Sequence, residues 1–214
     1  MLRCAAVRLL VLGATGGTGQ HVVTQALDAG YDVTAFARSP GKVAIHHPRL
    51  RVLEGTLTDS GALADAMHSQ DAVISAIGRG KTFKSDRLIE RSVPALLTAM
   101  HSASVPRLMF TSAVGIGASY RDSPLLAKLF FRTLLRDIYA DKAIGEELIR
   151  KSNVDWTIVQ PGLLNDGPLT RRYRCGERLA LSGMPTISRA NTAHFLLDRI
   201  NDRSTSGRTI VIAD

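Results

Sequence analysis

The sequence predicts an α/β chain built as a doubly wound, mostly parallel, seven-stranded sheet with helices on both faces. Three observations predict it. Short apolar runs alternate with amphipathic segments along the 214 residues. The runs are continuously apolar, as in Ala72-Val73-Ile74-Ser75-Ala76-Ile77, and a glycine-rich turn joins the first run to the first helical segment. Alternating strand and helix signals imply parallel pairing through helical crossovers, and continuous apolar runs imply strands covered on both faces.

The elements follow in order. An apolar run from Cys4 to Leu12 faintly imitates a leader, but Arg8 interrupts it, and residues 7–12 read as a buried first strand. A helix over 20–29 and a strand over 31–37 complete a βαβ unit. Strands follow at 50–54, 72–77, 108–112, 156–160 and 209–212, with helices at 60–68, 85–102, 125–152 and 191–201. No repeat or linker divides the chain, so residues 1–214 read as one domain. The irregular stretch 161–189, rich in Gly, Pro and Arg, lies beyond the carboxyl end of a predicted strand. It is either a substrate-covering region or an ordinary long loop.

Composition narrows the class. The 45% hydrophobic and 21% charged fractions suit a globular cytoplasmic protein. No apolar run approaches the ~20 residues that span a bilayer. Cys4 and Cys175 are the two cysteines, far apart and without metal-ligand spacing, so neither a disulfide framework nor a metal site is expected. The net charge of +8 and pI near 10.0 suit anionic ligands, but equally a basic solvated surface. No DNA-reading motif or aromatic strand platform accompanies the charge, so no nucleic-acid partner is expected. In the stretch 124–139, Lys128, Arg132 and Arg136 recur every four residues among leucines. This reads as a helix packed on the sheet or across a dimer, with a membrane-surface or partner helix as the other possibility. The chain is expected to be a monomer or homodimer.

Gly13-Ala14-Thr15-Gly16-Gly17-Thr18-Gly19 follows a strand and opens a helix. Glycine is needed where the backbone turns sharply, where it approaches a pyrophosphate, and where helix packs on strand; Gly13, Gly16 and Gly19 fit those places. The N–H groups of the helix start, beside Gly17, then face the anion, and Thr15 and Thr18 can add hydroxyl donors. This is the Rossmann-type dinucleotide fingerprint. Arg38 ends the second strand 19 residues past Gly19, where an acidic residue would meet the ribose hydroxyls of NAD. A guanidinium there favours a 2′-phosphate, and Ser39 and Lys42 can complete the clamp, so the expected cofactor is NADP(H).

With these residues assembled, the sequence resembles the atypical short-chain dehydrogenase/reductases, and within them the NmrA-like and flavin reductase/biliverdin-IXβ reductase-like proteins. The resemblance spans almost the whole chain. It rests also on Asp71-Ala72-Val73-Ile74-Ser75-Ala76-Ile77-Gly78, Phe110-Thr111-Ser112-Ala113, Trp156-Thr157-Ile158-Val159-Gln160-Pro161-Gly162 and Ile187-Ser188-Arg189. It implies that Ala76, Ile77 and Gly78 line the cofactor, that Ser112 sits near the nicotinamide, and that Pro161, Gly162 and Leu163 close over it. Where the family carries Gly-Asp and an apolar residue beside the adenine, this chain has Gly55-Thr56-Leu57, which leaves Thr56 and Leu57 at that place. The superfamily's Tyr-x-x-x-Lys is altered: Ile138 stands four residues before Lys142 and Tyr139 three. Lys142 either bonds the ribose or is an ordinary exposed helix lysine.

A reductase that forms an alkoxide gains roughly 10²–10⁴-fold from an aligned proton donor. Without the tyrosine, the chemistry points instead to a planar conjugated acceptor, a flavin, quinone or tetrapyrrole, that spreads the arriving charge and takes its proton from water. Ser112 and Lys142 are then the candidate catalytic residues, although a serine also commonly ends a strand. Arg171, Arg172, Arg174 and Arg178 either attract an anionic acceptor or are solvated charges. The alternative function is a non-catalytic NADP(H)-sensing regulator that acts through a protein partner.

Overall fold

The computed structural model describes residues 6–78, 86–122, 135–181 and 183–214. Its elements are β1 (Arg8–Leu12), α1 (Gly17–Asp28), β2 (Asp32–Ala37), β3 (Leu50–Glu54), α2 (Ser60–Met67), β4 (Ala72–Ser75), α3 (Leu88–Ser102) and β5 (Arg107–Thr111). They continue as α4 (Ala118–Asp122), α5 (Arg136–Arg150), β6 (Asp155–Pro161), β7 (Leu163–Asn165), β8 (Arg174–Gly176), β9 (Thr186–Ser188), α6 (Arg189–Asp198) and β10 (Arg208–Ala213). The main sheet has the order β3-β2-β1-β4-β5-β6-β10-β8, and β7 pairs with β9 in a second, two-stranded sheet.

The α/β class and mostly parallel pairing are as the sequence predicts, but among the described residues the main sheet has eight strands. The eighth, β8, lies antiparallel on β10, with Cys175 opposite Ile212. The described residues of stretch 161–189, expected to be irregular, therefore hold three short strands. Each is three residues long, and β8 is an exposed Arg-Cys-Gly with no apolar run for the sequence to reveal. The pairing, rather than propensity, makes it a strand. Helix α1 begins at Gly17, three residues before the expected start, and α6 covers Arg189–Asp198 in place of 191–201. Cys4 and most of the basic helix, including Lys128 and Arg132, lie outside the described residues; the expected first strand over 7–12 is β1, Arg8–Leu12. Arg136 begins α5.

Period-two alternation distributes the core. Leu9 and Val11 of β1 pack with Val22, Ala26, Phe195 and Leu196 beneath α1 and α6. Leu10 and Leu12 pack on the opposite face with Leu63, Val93, Leu96 and Ile149, beneath α2, α3 and α5. Between β1 and β4 the strand order changes direction: β2 and β3 extend to one side, β5 and β6 to the other. Ligands of open α/β sheets bind at such a switch, outside the carboxyl ends of the strands.

Helix starts differ there. The Asp59 carboxylate accepts from Ala62 N–H at 3.0 Å to cap α2, and Ser188 Oγ accepts from Asn191 N–H at 2.9 Å to cap α6. Asp141, from α5, accepts from both Ile89 and Glu90 N–H of α3. The start of α1, at Gly16, has no side-chain cap.

Candidate functional site

The turn after β1 is shaped by contacts that exclude side chains. Gly13 has φ +80, and a Cβ there would lie 2.6 Å from the Ala76 carbonyl oxygen. At Gly19 a Cβ would fall 2.1 Å from the Gly13 oxygen, so helix and strand meet at backbone distance. The turn is closed by Gly16 N–H donating to Gly13 O at 3.0 Å, and Gln20 N–H donates to Gly16 O at 2.9 Å. Thr18 is buried beside the turn; Thr15 is half-buried, and its carbonyl accepts from the Gln20 side chain. The uncapped N–H groups of α1 face the switch point, a cradle of the shape and polarity that a pyrophosphate requires.

The neighbouring residues fall around this cradle. Strand β4 ends at Ser75, two residues short of expectation, which leaves Ala76, Ile77 and Gly78 as irregular backbone against Gly13. Arg38, Ser39 and Lys42 are exposed beyond the end of β2, and Arg38 has no hydrogen-bond or ionic partner among the described residues. The Ser39 carbonyl accepts from Lys42 N–H at 3.0 Å, which keeps the three in one tight turn. Thr56 is exposed and its carbonyl accepts from Asp59 N–H, while Leu57 is half-buried against the cluster containing Phe36.

Ser112 lies just past β5. It is buried, and its Oγ, like those of Ser75 and Thr111, has no hydrogen-bond partner among the described residues. An orphaned buried hydroxyl costs about 1–3 kcal/mol unless something meets it. Lys142, from α5, donates through Nζ to the carbonyls of Ser112 at 3.1 Å and Thr111 at 3.4 Å. It is half-buried, so the exposed-lysine expectation is corrected: the ammonium supports the backbone under Ser112. Tyr139 donates its hydroxyl to Val114 O at 2.9 Å, and burial pushes the phenol above its ordinary pKa.

A polar network backs this wall. Glu146, fully buried, accepts from Gln160 Nε2 at 2.8 Å and from Arg150. Gln160 Oε1 accepts from Ser119 Oγ, which in turn accepts from Gly115 and Ile116 N–H. The loop after Ser112 is thereby fixed to β6 and α5. Next to it, Val114 N–H donates to Pro161 O, Gly162 N–H to Ile212 O and Leu163 N–H to Pro185 O.

Burial pushes Lys142 down to about 8, against the attraction of Glu146 and Asp141. Because the folded value lies below the unfolded one, the cost of burying the charge is fully present below pH 8. It is relieved as pH rises from 8 toward the ordinary lysine value. The stability of the wild type relative to Lys142→Met is therefore expected to rise over that window by on the order of 2 kcal/mol, allowing for partial exposure. Urea denaturation at a series of pH values measures it; a flat difference would mean that Lys142 is not desolvated.

One residue escaped the sequence reading as a site member. Arg189, the first residue of α6, lies over the glycine turn: a Cβ at Gly17 would fall 2.6 Å from its Cδ and 2.9 Å from its Nε. Its place after Ile187-Ser188 was visible, but the approach to a residue 172 positions earlier was not. Of the arginines in 161–189, Arg174 donates to the carbonyls of Ala180 and Asp214, and exposed Arg171 has φ +57, its N–H held by Asn191. Among the described residues no His, Cys, Asp and Glu group could hold a metal, and no helix is long and apolar enough to cross a membrane.

Comparison with known proteins gives a consistent picture. A family described as NAD(P)H-binding matches residues 13–203. Reductase pytE of Aspergillus terreus is 26% identical over 88% of this chain and 89% of its own length. Other leading curated matches are longer proteins, of which this chain spans 31–61%. ChuY, an anaerobillin reductase from Escherichia coli O157:H7, superposes with TM-score 0.80 at 21% identity, covering 97% of each chain. A short-chain dehydrogenase/reductase from Veillonella parvula in complex with NADP gives TM-score 0.80 at 19% identity, covering 97% of this chain and 94% of that one.

Proposed function

Because the chain belongs to the NAD(P)H-binding family, we propose that it is an NADPH-dependent reductase that acts on a planar conjugated acceptor. Gly13, Gly16, Gly17 and Gly19 hold the diphosphate against the start of α1, with Thr15 and Thr18 as hydroxyl donors. Arg38, Ser39 and Lys42 hold the 2′-phosphate, Thr56 and Leu57 flank the adenine, and Ala76, Ile77 and Gly78 line the floor. When bound, reduced nicotinamide supplies the hydride.

The chain's own residues position and shield. Ser112 Oγ orients the nicotinamide or the acceptor by a hydrogen bond, and Lys142 keeps the Ser112 backbone in place. Pro161, Gly162 and Leu163 close over the reacting face, with 161–189 as a cover tethered by β7–β9 and β8–β10 pairing. Water protonates the acceptor.

The observation that carries this reading is the pairing of Tyr139 and Ser112. The phenol is engaged by the Val114 carbonyl, Ile138 stands where the superfamily's tyrosine would be, and Ser112 is one of three buried hydroxyls, with Ser75 and Thr111, that have no partner among the described residues. A serine orients well but is a poor acid, which suits an acceptor whose reduced form delocalises charge. That pytE is a reductase and ChuY an anaerobillin reductase supports a reductase reading.

The test is NADPH oxidation, followed by nicotinamide absorbance, with FMN, riboflavin, several quinones and biliverdins. Turnover above background is expected with at least one acceptor. Background rates with all of them would overturn the catalytic reading.

A further inference from the structure

The stem of Arg189 lies across Gly17, the first residue of α1, and its Nη1 donates to Asp166 Oδ1 at 2.6 Å. The two partners are unequal. The Arg189 side chain is 28% exposed, that of Asp166 88%. We propose that Arg189 grips the diphosphate of the dinucleotide and that Asp166 is its built-in competitor, holding the guanidinium until the dinucleotide displaces it. This inference rests on the dinucleotide-binding reading above.

The backbone of Arg189 is fixed. Ile187 and Ala190 on either side of the α6 start are buried, Thr192 Oγ1 donates to Ser188 O at 3.0 Å, and Ser188 caps the helix. Gln25 of α1 donates to Ala190 O at 3.0 Å, so the two helices hold one relation and Arg189 keeps its place over the turn. Only the guanidinium is left to swing.

Asp166 follows β7 in a turn where Gly167 N–H donates to Asn165 Oδ1. An ion pair with one partner almost wholly in solvent has little net attraction. A diphosphate offers more charge and a bidentate geometry, on the uncapped start of a helix, and it wins the guanidinium. Asp166 is then released to solvent, while the chain beyond it stays held: Ser188 Oγ donates to Pro168 O, and the Thr170 and Arg171 N–H groups donate to Asn191 Oδ1. Because the diphosphate is common to NADP and NAD, Arg189 raises the affinity for both without choosing between them. That separates its role from the one assigned to Arg38.

Calorimetric titration of the full chain with NADP⁺ and with NAD⁺ tests this in the wild type, Arg189→Met, Asp166→Asn and the double variant. Methionine keeps an aliphatic cover on Gly17. Arg189→Met is expected to weaken both dinucleotides about 10- to 100-fold, with their ratio unchanged. Asp166→Asn is expected to tighten both about two- to fivefold, an effect that vanishes in the double variant.

Unchanged affinity in Arg189→Met overturns the grip. Unchanged affinity in Asp166→Asn, or tightening that persists in the double variant, overturns the competition. Should Arg189→Met not fold, the exposed Asp166→Asn decides alone. Absence of binding of either dinucleotide by the wild type would instead overturn the underlying reading.

Discussion

Replacement of Arg38 by Ala is expected to weaken NADPH binding about 10- to 150-fold and to leave NADH binding nearly unchanged. Arg38 is exposed and has no partner among the described residues, so the substitution removes no contact that the fold uses. What it removes is a charge-assisted contact to the 2′-phosphate, worth on the order of 1.5–3 kcal/mol. That energy converts to the stated range of dissociation constants. NADH lacks the phosphate, and a loss shared by both nucleotides would report only guanidinium stacking on the adenine. Paired titrations at fixed ionic strength give the ratio. An unchanged NADPH-to-NADH ratio would remove Arg38 as the specificity determinant and transfer the role to Lys42 and Ser39, which share its turn.

Gly19→Ala is expected to be the most damaging single-carbon change at the site. The added Cβ would meet the Gly13 oxygen at 2.1 Å, the Gly13 carbonyl carbon at 2.7 Å and Ala14 Cα at 2.9 Å. These are backbone atoms, held by β1 between β2 and β4, so no rotamer change relieves them. Relief requires α1 to move off the strand, which opens the cradle and separates Val22 and Ala26 from Leu9 and Val11. A stability loss of about 4 kcal/mol is expected, above the usual ~1–3 for overpacking, with dinucleotide affinity down by about 100-fold or more in the folded fraction. Gly41→Ala is the control: a Cβ there meets nothing within 4 Å. Its stability should stay within about 0.5 kcal/mol of the wild type. Denaturant unfolding of both variants measures the contrast, and a Gly19→Ala loss below about 1 kcal/mol would show that helix and strand can separate cheaply.

Both expectations begin from residues visible in one dimension. Strand, glycine turn and helix are contiguous, and each imposes a local demand: an apolar run, a positive φ at Gly13, a helix start at Gly17. The parallel sheet and the position of Arg38 at the end of β2 follow from the same short-range logic, because crossover connections place successive carboxyl ends on one side. Strand β3 (Leu50–Glu54) lies at the expected residues for that reason.

Other features required the folded chain. Strand β8 is an exposed Arg-Cys-Gly whose strand character comes from β10, and the early end of β4 comes from Ala76 being pressed on Gly13. Arg107 carries the same lesson. The predicted strand began at residue 108, yet this arginine is 2% exposed in β5, where its guanidinium bonds Asp155, Thr205 and the carbonyls of Arg199 and Ile200. Burial lowers its pKa to about 10, and the main-chain acceptors at the end of α6 compensate the buried charge.

The sequence alone therefore determined the class of fold, the place of the glycine turn, and the basic residue at the end of β2, because each depends on neighbours a few positions away. Only the tertiary structure decided that Lys142 supports Ser112 from below, that Tyr139 is engaged by Val114, and that Arg189 lies across Gly17. Those roles depend on which atoms the packed helices bring within bonding distance. A lysine thirty residues from its carbonyl partner, or an arginine 172 residues from its glycine, leaves no periodic trace in the chain.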